Sequence, residues 1–385
     1  LKLALFVHDF HLEIGHTNAM VEVLRHWQGD AIEELVVVAM TFSPIEKMLP
    51  ELAPRVRIIQ VWPNRLNPFL LKVIWYQVVT WVLSKTLLKN HLRIGIGTAC
   101  LAVELVNVQF VHSQWQDEYL KLQNQSGKVR WYYKKILFAY LTWCERVLYR
   151  RPAVAFACCA QFISDFMQQN FSIPSAQVAT AYSGINLKRF TLSGRSHEEI
   201  QHELACDFPQ LALLDLSRPI ALFVGAFERK GLPQVLKNRP AGFQLIVVGE
   251  SELPGNIYNQ FDNKLKSLYF IPHTKKISKF YELADAFVFP SLYDPFGLVV
   301  AEAAAMGLQV FVSKYKVGAA ELLAGSDEVY LIDGSSGIDF KKIRKIEQAE
   351  RQKLRQQRLE QLSKHSWSDA AKVFSQLIAN NKKTK

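Results

Sequence analysis

Short runs of β-branched and apolar residues alternate along this chain with longer stretches in which apolar positions return every three or four residues. The first half reads LKLALFVH, a helix from about Thr17 to Trp27, ELVVVAM, VRIIQVW, NVQFVH, AVAFACCA with a helix from about Ser164, and VATAYSG. The second half repeats the pattern with ALFVGAF, FQLIVVGE, LYFIP, AFVFPS, QVFVS and EVYLID, each followed by helical periodicity. Strand and helix taken in turn predict mostly parallel sheets with helices on both faces, so the fold class is α/β with two doubly wound units in tandem. Residues 184–219 carry Gly, Ser and Pro punctuation and no strand pattern, which places a linker there. Beyond residue 333, FKKIRKIEQAERQKLRQQRLEQL is strongly helix-forming. SWSDAAKVFSQLIANN then predicts a closing helix, with Ser366 or Ser368 as its N-cap.

One apolar stretch does not fit a strand. FLLKVIWYQVVTWVL, residues 69–83, is interrupted by Lys72, Gln77 and Thr80 and falls short of the ~20 residues that span a bilayer. Its Trp75, Tyr76 and Trp81, followed by Lys85, Lys89 and Arg93, would suit a membrane interface. Burial as an amphipathic helix is the expected packing. The N-terminal apolar run is too short for a signal peptide and reads as a first strand.

Composition agrees with two folded domains: 385 residues exceed what one core usually fills, with 49% hydrophobic and 21% charged residues. The formal charge of +11 is unevenly spread. Residues 121–151 hold Lys121, Lys128, Arg130, Lys134, Lys135, Arg146, Arg150 and Arg151 against one acid, Glu145, interleaved with tryptophans and tyrosines. This is either a solvated helix face or a patch that attracts an anionic lipid or glycan. It carries no nucleic-acid-binding signature. Five cysteines, at 100, 144, 158, 159 and 206, are odd in number and lack metal spacing, which points to a reducing compartment.

Candidate chemistry sits where strands hand over to helices, because ligands of open α/β sheets bind beyond the carboxyl ends of the strands. HDFHLEIGHTN crowds His8, Asp9, His11, Glu13 and His16 around Gly15; it reads as a plain turn or as an anion site at a helix start. In FVHSQW, His112 ends an apolar strand as a structural histidine or a site residue. FVGAFERKGL delivers Gly225, then Arg229 and Lys230 before Gly231, and adjacent cations on a strand-end loop suit a diphosphate. In LYDPFGLVVAEAAAMG the helix is expected to begin near Asp294, with Pro295 in its first turn. Phe296, Gly297, Leu298 and Val299 would then offer free N–H groups. Glu302 would lie about two turns in, ~12 Å along the axis. Carboxylates there would accept hydrogen bonds from hydroxyls of a sugar or ribose.

Taken together, DPFGLVVAEAAAMG, FVGAFERKG, YSGINLKRF and HSWSDAA resemble the retaining glycosyltransferases of family 4. ERVLYRRP, FERKG and LYDPFG are similar to the bacterial members that add glucose to the heptose of the lipopolysaccharide core. The resemblance implies the GT-B fold, two Rossmann-like domains facing a cleft: residues 1–185 for the acceptor, 186–365 for the donor, and a helix at 366–385 packing back on the first. It implies a nucleotide diphosphate sugar, expected to be UDP-linked, as co-substrate. Gly15, Gly225, Arg229, Lys230 and Phe296 to Val299 would hold its phosphates, Asp294 its sugar and Glu302 its ribose. His112 would lie near the reacting sugar, and His112, Asp294, Arg229 and Lys230 would form the catalytic set. Transfer with retention would need no metal and no cofactor. The acceptor would be a glycan or lipid-linked molecule such as lipopolysaccharide core, with residues 121–151 near an anionic membrane on the cytoplasmic side. A nucleotide-sugar epimerase and a non-catalytic scaffold that binds anionic surfaces are the alternatives.

Overall fold

The computed structural model describes residues 1–122, 128–249, 266–333 and 337–383. The chain divides into two compact units, Leu1–Gly184 with Ser366–Lys385, and Ile185–His365.

In the first unit the apolar runs become β1 (Lys2–Phe6), β3 (Glu34–Ala39), β5 (Val56–Gln60), β6 (Leu92–Ile96), β7 (Leu105–Val108), β8 (Ala155–Cys158) and β9 (Val178–Thr180). They form one sheet in the order β5-β3-β1-β6-β7-β8-β9, and every pairing is parallel. Two further short strands, β2 (Asp9–Phe10) and β4 (Thr41–Phe42), pair beside it. Helices α1 (Gly15–Arg25), α2 (Ile45–Met48), α3 (Phe69–Lys85), α4 (His112–Leu122), α5 (Lys128–Tyr149) and α6 (Gln161–Phe171) supply the covers. Because a parallel sheet is buried on both faces, its strands read as unbroken apolar runs. Leu3, Leu5 and Val7 point into a core shared with Met20, Val21 and Leu24 of α1 and with Ala371, Phe374, Leu377 and Ile378 of the closing helix Trp367–Lys383. Gly184, where the chain leaves this unit, lies against that helix so closely that a Cβ would sit 2.3 Å from the Trp367 nitrogen.

The second unit has β10 (Ile220–Val224), β11 (Gln244–Gly249), β12 (Leu268–Pro272), β13 (Ala286–Phe289), β14 (Gln309–Ser313) and β15 (Val329–Ile332), in the order β12-β11-β10-β13-β14-β15 and again all parallel. The expected linker is not an open tether. It contains α7 (His197–Asp207), which buries Ile200 and Leu204 and is capped by reciprocal hydrogen bonds between Ser196 and Glu199. The helix Gln348–Leu362 is pinned by buried Arg351, which donates to the Glu282 carbonyl at 2.6 Å, and by Arg358, which donates to the Asp327 carbonyl at 2.7 Å.

Cys100, Cys144, Cys158 and Cys159 are buried and Cys206 is exposed. On α3, Val73, Tyr76, Gln77, Thr80 and Ser84 are buried while Leu71, Trp75, Val78, Trp81 and Val82 stand exposed, so the helix is covered on one side only.

Candidate functional site

In the second unit β10 is followed at once by Gly225, whose φ of +123° favours glycine. A Cβ there would lie 2.4 Å from Lys230 Cδ, so the absent side chain is the room in which the lysine stem lies. The loop folds back through Lys230 N–H to the Ala226 carbonyl at 3.2 Å and Leu232 N–H to the Phe227 carbonyl at 2.9 Å. It closes at Gly231, φ +86°, where a Cβ would meet the Pro290 carbonyl oxygen at 2.1 Å. The loop is also fastened to the segment after β13. Leu292 N–H donates to the Arg229 carbonyl at 3.0 Å, and the Arg229 guanidinium donates to the Tyr293 carbonyl at 2.8 Å. Arg229 thus holds the two loops together, and Lys230 is the cation presented.

Lys230 Nζ lies 3.4 Å from Asp294 Oδ2 and 5.1 Å above the Phe289 ring. The helix does not begin near Asp294 as expected. The Asp294 N–H donates to the Lys316 carbonyl at 2.9 Å and Asp294 bridges to Val317, so the chain reaches helical geometry only after Gly297, which has φ +77°. The helix runs Leu298–Ala305, and no side-chain hydrogen bond caps its start. Glu302 is therefore one turn into the helix, ~6 Å along the axis, instead of two. Phe296 is buried and its carbonyl accepts from Ala319 N–H at 2.6 Å, while Leu298 and Val299 form the first turn.

Glu302 is partly buried, and Oε2 accepts from the hydroxyl of fully buried Tyr281 at 3.0 Å. Burial raises its pKa, opposed by that hydrogen bond and by the charges of Arg189 and Lys230. Tyr281 itself is pushed well up by burial and by the neighbouring carboxylate. A carboxylate held by one oxygen keeps the other to accept from a ligand hydroxyl. The structure thus brings Gly225, Arg229, Lys230, Asp294, Gly297, Leu298, Val299 and Glu302 into one neighbourhood of this unit, with Tyr281 added.

In the first unit the polar loop after β1 is largely consumed by structure. Lys72 Nζ lies 3.0 Å from both oxygens of Asp9, and Thr41 donates to Asp9 at 2.7 Å. These contacts outweigh burial and lower the Asp9 pKa. His11 bonds Ser43 at 2.8 Å and Thr41 at 2.9 Å. His8 packs on Tyr76 with ring centroids 4.4 Å apart, and burial lowers its pKa to about 4. Gly15 opens α1 without a side-chain cap, and a Cβ there would meet nothing within 4 Å. Its backbone faces open space, but sterics do not require glycine.

His112 opens α4 instead of ending β7. Beneath it lies Glu145, whose side chain is fully buried. Glu145 Oε1 takes the His112 backbone N–H at 2.5 Å and lies 3.0 Å from Nδ1; Oε2 takes the Ser113 N–H at 2.9 Å. A carboxylate only accepts, so Nδ1 carries the proton that faces it, which leaves Nε2 to meet a ligand. Sequence reasoning counted Glu145 only as the one acid of a basic segment. A lone carboxylate among eight cations was the available signal. Among the described residues, no group of three or more His, Cys, Asp or Glu side chains is placed to hold a metal ion.

This geometry can be compared with known proteins. Residues 209–366 match the family model described as Glycosyl transferases group 1. EpsF of Bacillus subtilis (strain 168), provisionally named a glycosyltransferase, is 28% identical over 163 residues, 42% of this chain and 42% of EpsF. The chain spans about two fifths of the length of the curated relatives it matches. Among solved structures, WaaG, a glycosyltransferase involved in lipopolysaccharide biosynthesis, aligns with a TM-score of 0.64 at 15% identity, covering 99% of this chain and 98% of that one. HepE from Anabaena in complex with UDP and glucose aligns at 0.56 and 12%, covering 100% and 98%. The two parallel-sheet α/β domains have the GT-B glycosyltransferase architecture.

Proposed function

We propose that this protein transfers a sugar from a nucleotide diphosphate sugar, UDP-linked, to a glycan or lipid-linked acceptor of the lipopolysaccharide-core type. The observation that carries the reading is the meeting of Lys230, Asp294, the uncapped start of the helix Leu298–Ala305 and Glu302 within one unit. The family match over residues 209–366 covers the same stretch. Lys230 and the helix N-terminus would take the diphosphate, Asp294 the sugar hydroxyls and the free oxygen of Glu302 the ribose.

In the reaction the bond from the anomeric carbon to phosphate oxygen breaks and a bond to the acceptor oxygen forms on the same face. The acceptor proton passes to the leaving phosphate oxygen. Developing negative charge on the diphosphate is offset by Lys230, the helix dipole and the charge of Arg229, so the step is proposed to need neither metal nor carboxylate nucleophile. His112, held by Glu145 through Nδ1, is proposed to contact the reacting sugar. HepE was crystallised with UDP and glucose, which supports UDP-glucose as the first donor to try. The basic segment 121–151 is proposed to hold the enzyme near an anionic membrane surface.

The test is calorimetric titration of UDP and UDP-glucose in the presence of a chelator, followed by product analysis with a heptose-containing acceptor. Binding without metal and an α-linked product from an α-linked donor are expected. Wild-type affinity and turnover in Lys230→Ala would defeat the assignment, and an epimerised sugar without acceptor would replace it with the epimerase reading.

A further inference from the structure

Helices α3 and α5 pack side by side and run parallel. The Leu70 N–H bonds the Tyr133 hydroxyl at 3.1 Å, Val73 meets Leu137 and Leu141, and Tyr140 donates to Gln77 at 2.6 Å. Beside that seam each helix turns an apolar stripe to solvent. On α3 it is Leu71, Trp75, Val78 and Val82, with Trp81 adjoining at 53% exposure. On α5 it is Tyr132, Ile136, Trp143 and Val147, with Tyr132 at 60% and Trp143 at 52%. Both stripes step by four and three or by multiples of that spacing, which keeps each on a single helix face. Large contiguous apolar surface of this kind marks a binding face.

The charges around the stripes select the occupant. Residues 69–89 contain no Asp or Glu, and the one acid of α5, Glu145, is buried under His112. Lys85 closes α3 with exposed Lys89 just beyond it, and Arg146 lies in the last turn of α5 with exposed Arg150 just beyond it, so cations gather at the same end of the parallel pair; Arg130 and Lys135 stand exposed at the other. A second copy of the chain would set cations against cations. Anionic headgroups match both the charge and the aromatic residues. Neither helix is long and apolar enough to cross a membrane.

We propose that α3 and α5 together form a monotopic platform that seats its paired apolar stripes in the interfacial layer of an anionic lipid bilayer. This deepens the membrane part of the proposed function and rests on it. There the basic segment attracts, whereas here α3, outside that segment, inserts.

The test is flotation of the full chain with phosphatidylcholine vesicles, with and without phosphatidylglycerol, for wild type, Trp75→Ser/Val78→Ser and Arg146→Glu/Arg150→Glu. Melting temperature and UDP titration are measured on the same samples. Wild type is expected to float with the anionic vesicles. The α3 variant should lose roughly tenfold or more in partitioning at low and at high salt, and the α5 variant should lose mainly at low salt. Both should keep the wild-type melting temperature. Flotation of the α3 variant equal to wild type would overturn insertion and leave electrostatic attraction alone. Absence of wild-type flotation would overturn the membrane partner. A dimer that the α3 variant dissociates, without vesicle binding, would make the face a protein interface. UDP binding that persists through any of these results keeps the transfer reading separate, and loss of UDP binding with flotation intact would remove that reading instead.

Discussion

At Gly231 a single missing Cβ fixes where a cation stands. With φ at +86° and the Pro290 carbonyl 2.1 Å from the Cβ position, Gly231→Ala meets backbone that cannot step aside. We expect a loss of about 1–3 kcal/mol from the left-handed backbone alone, with further loss from the clash. Thermal unfolding checks the stability, and UDP affinity should fall because Lys230 adjoins the displaced turn. Lys230→Ala is the counterpart: the pair with Asp294 is only 15% and 13% exposed, so the melting temperature should fall somewhat while donor affinity drops at least tenfold, and Lys230→Met, which keeps the stem, separates the two effects. His8 carries a pH prediction in the other unit. Burial lowers its folded pKa to about 4 from the ordinary 6.5, so the unfolded chain protonates first as pH falls. The stabilisation is fully present above pH 6.5 and is lost as pH approaches 4, amounting to roughly 3 kcal/mol at most. His8→Leu should flatten that part of a plot of melting temperature against pH; an unchanged slope would assign the acid sensitivity elsewhere.

Among elements, strands were the legible part, because residues buried on both faces leave an unbroken apolar signature whatever surrounds them. The loop cations Arg229 and Lys230 were legible for a related reason: a glycine on either side makes a turn, and a turn after a strand has few places to point. Helix starts were less so. Asp294 looks like an N-cap beside Pro295, but it bridges to Val317 and the helix starts only after Gly297, an arrangement no local pattern carries. The pairings of Glu145 with His112 and of Tyr281 with Glu302 were hidden in the same way, each joining residues more than twenty positions apart. On α3 apolar residues occupy nearly every position, so periodicity could not tell the buried side from the exposed one. The closing helix was predictable because its cap is local. Ser366 Oγ donates to Asp369 at 2.6 Å, and the Asp369 N–H returns to Ser366 at 3.2 Å. Ser366→Ala should cost about 1 kcal/mol, read as a lower melting temperature, and Ser366→Thr should restore most of it.

For the whole molecule, the chain path matters more than either sheet. The first unit is discontinuous: after His365 the chain re-enters it, and Ala371, Phe374, Leu377 and Ile378 fill a core that β1, β3 and α1 leave open. The second unit has its own core around Phe223, Val247, Val288 and Phe311, to which no residue after His365 contributes. Ending the chain at His365 should therefore act on one unit. Losing Phe374, Leu377 and Ile378, with Ala371, from a packed core at about 2–5 kcal/mol for each of the three larger side chains is comparable to the whole usual stability of a domain. Scanning calorimetry of the shortened chain should show loss or deep lowering of one transition and retention of the other. If the donor site lies within Ile185–His365, UDP should still raise the surviving transition, by about 2.7 kcal/mol at a hundredfold excess over Kd. Loss of both transitions together would show that the second unit depends on the first to fold. Survival of both, with the nucleotide shift gone, would move the binding determinants out of the loops around Lys230 and Asp294.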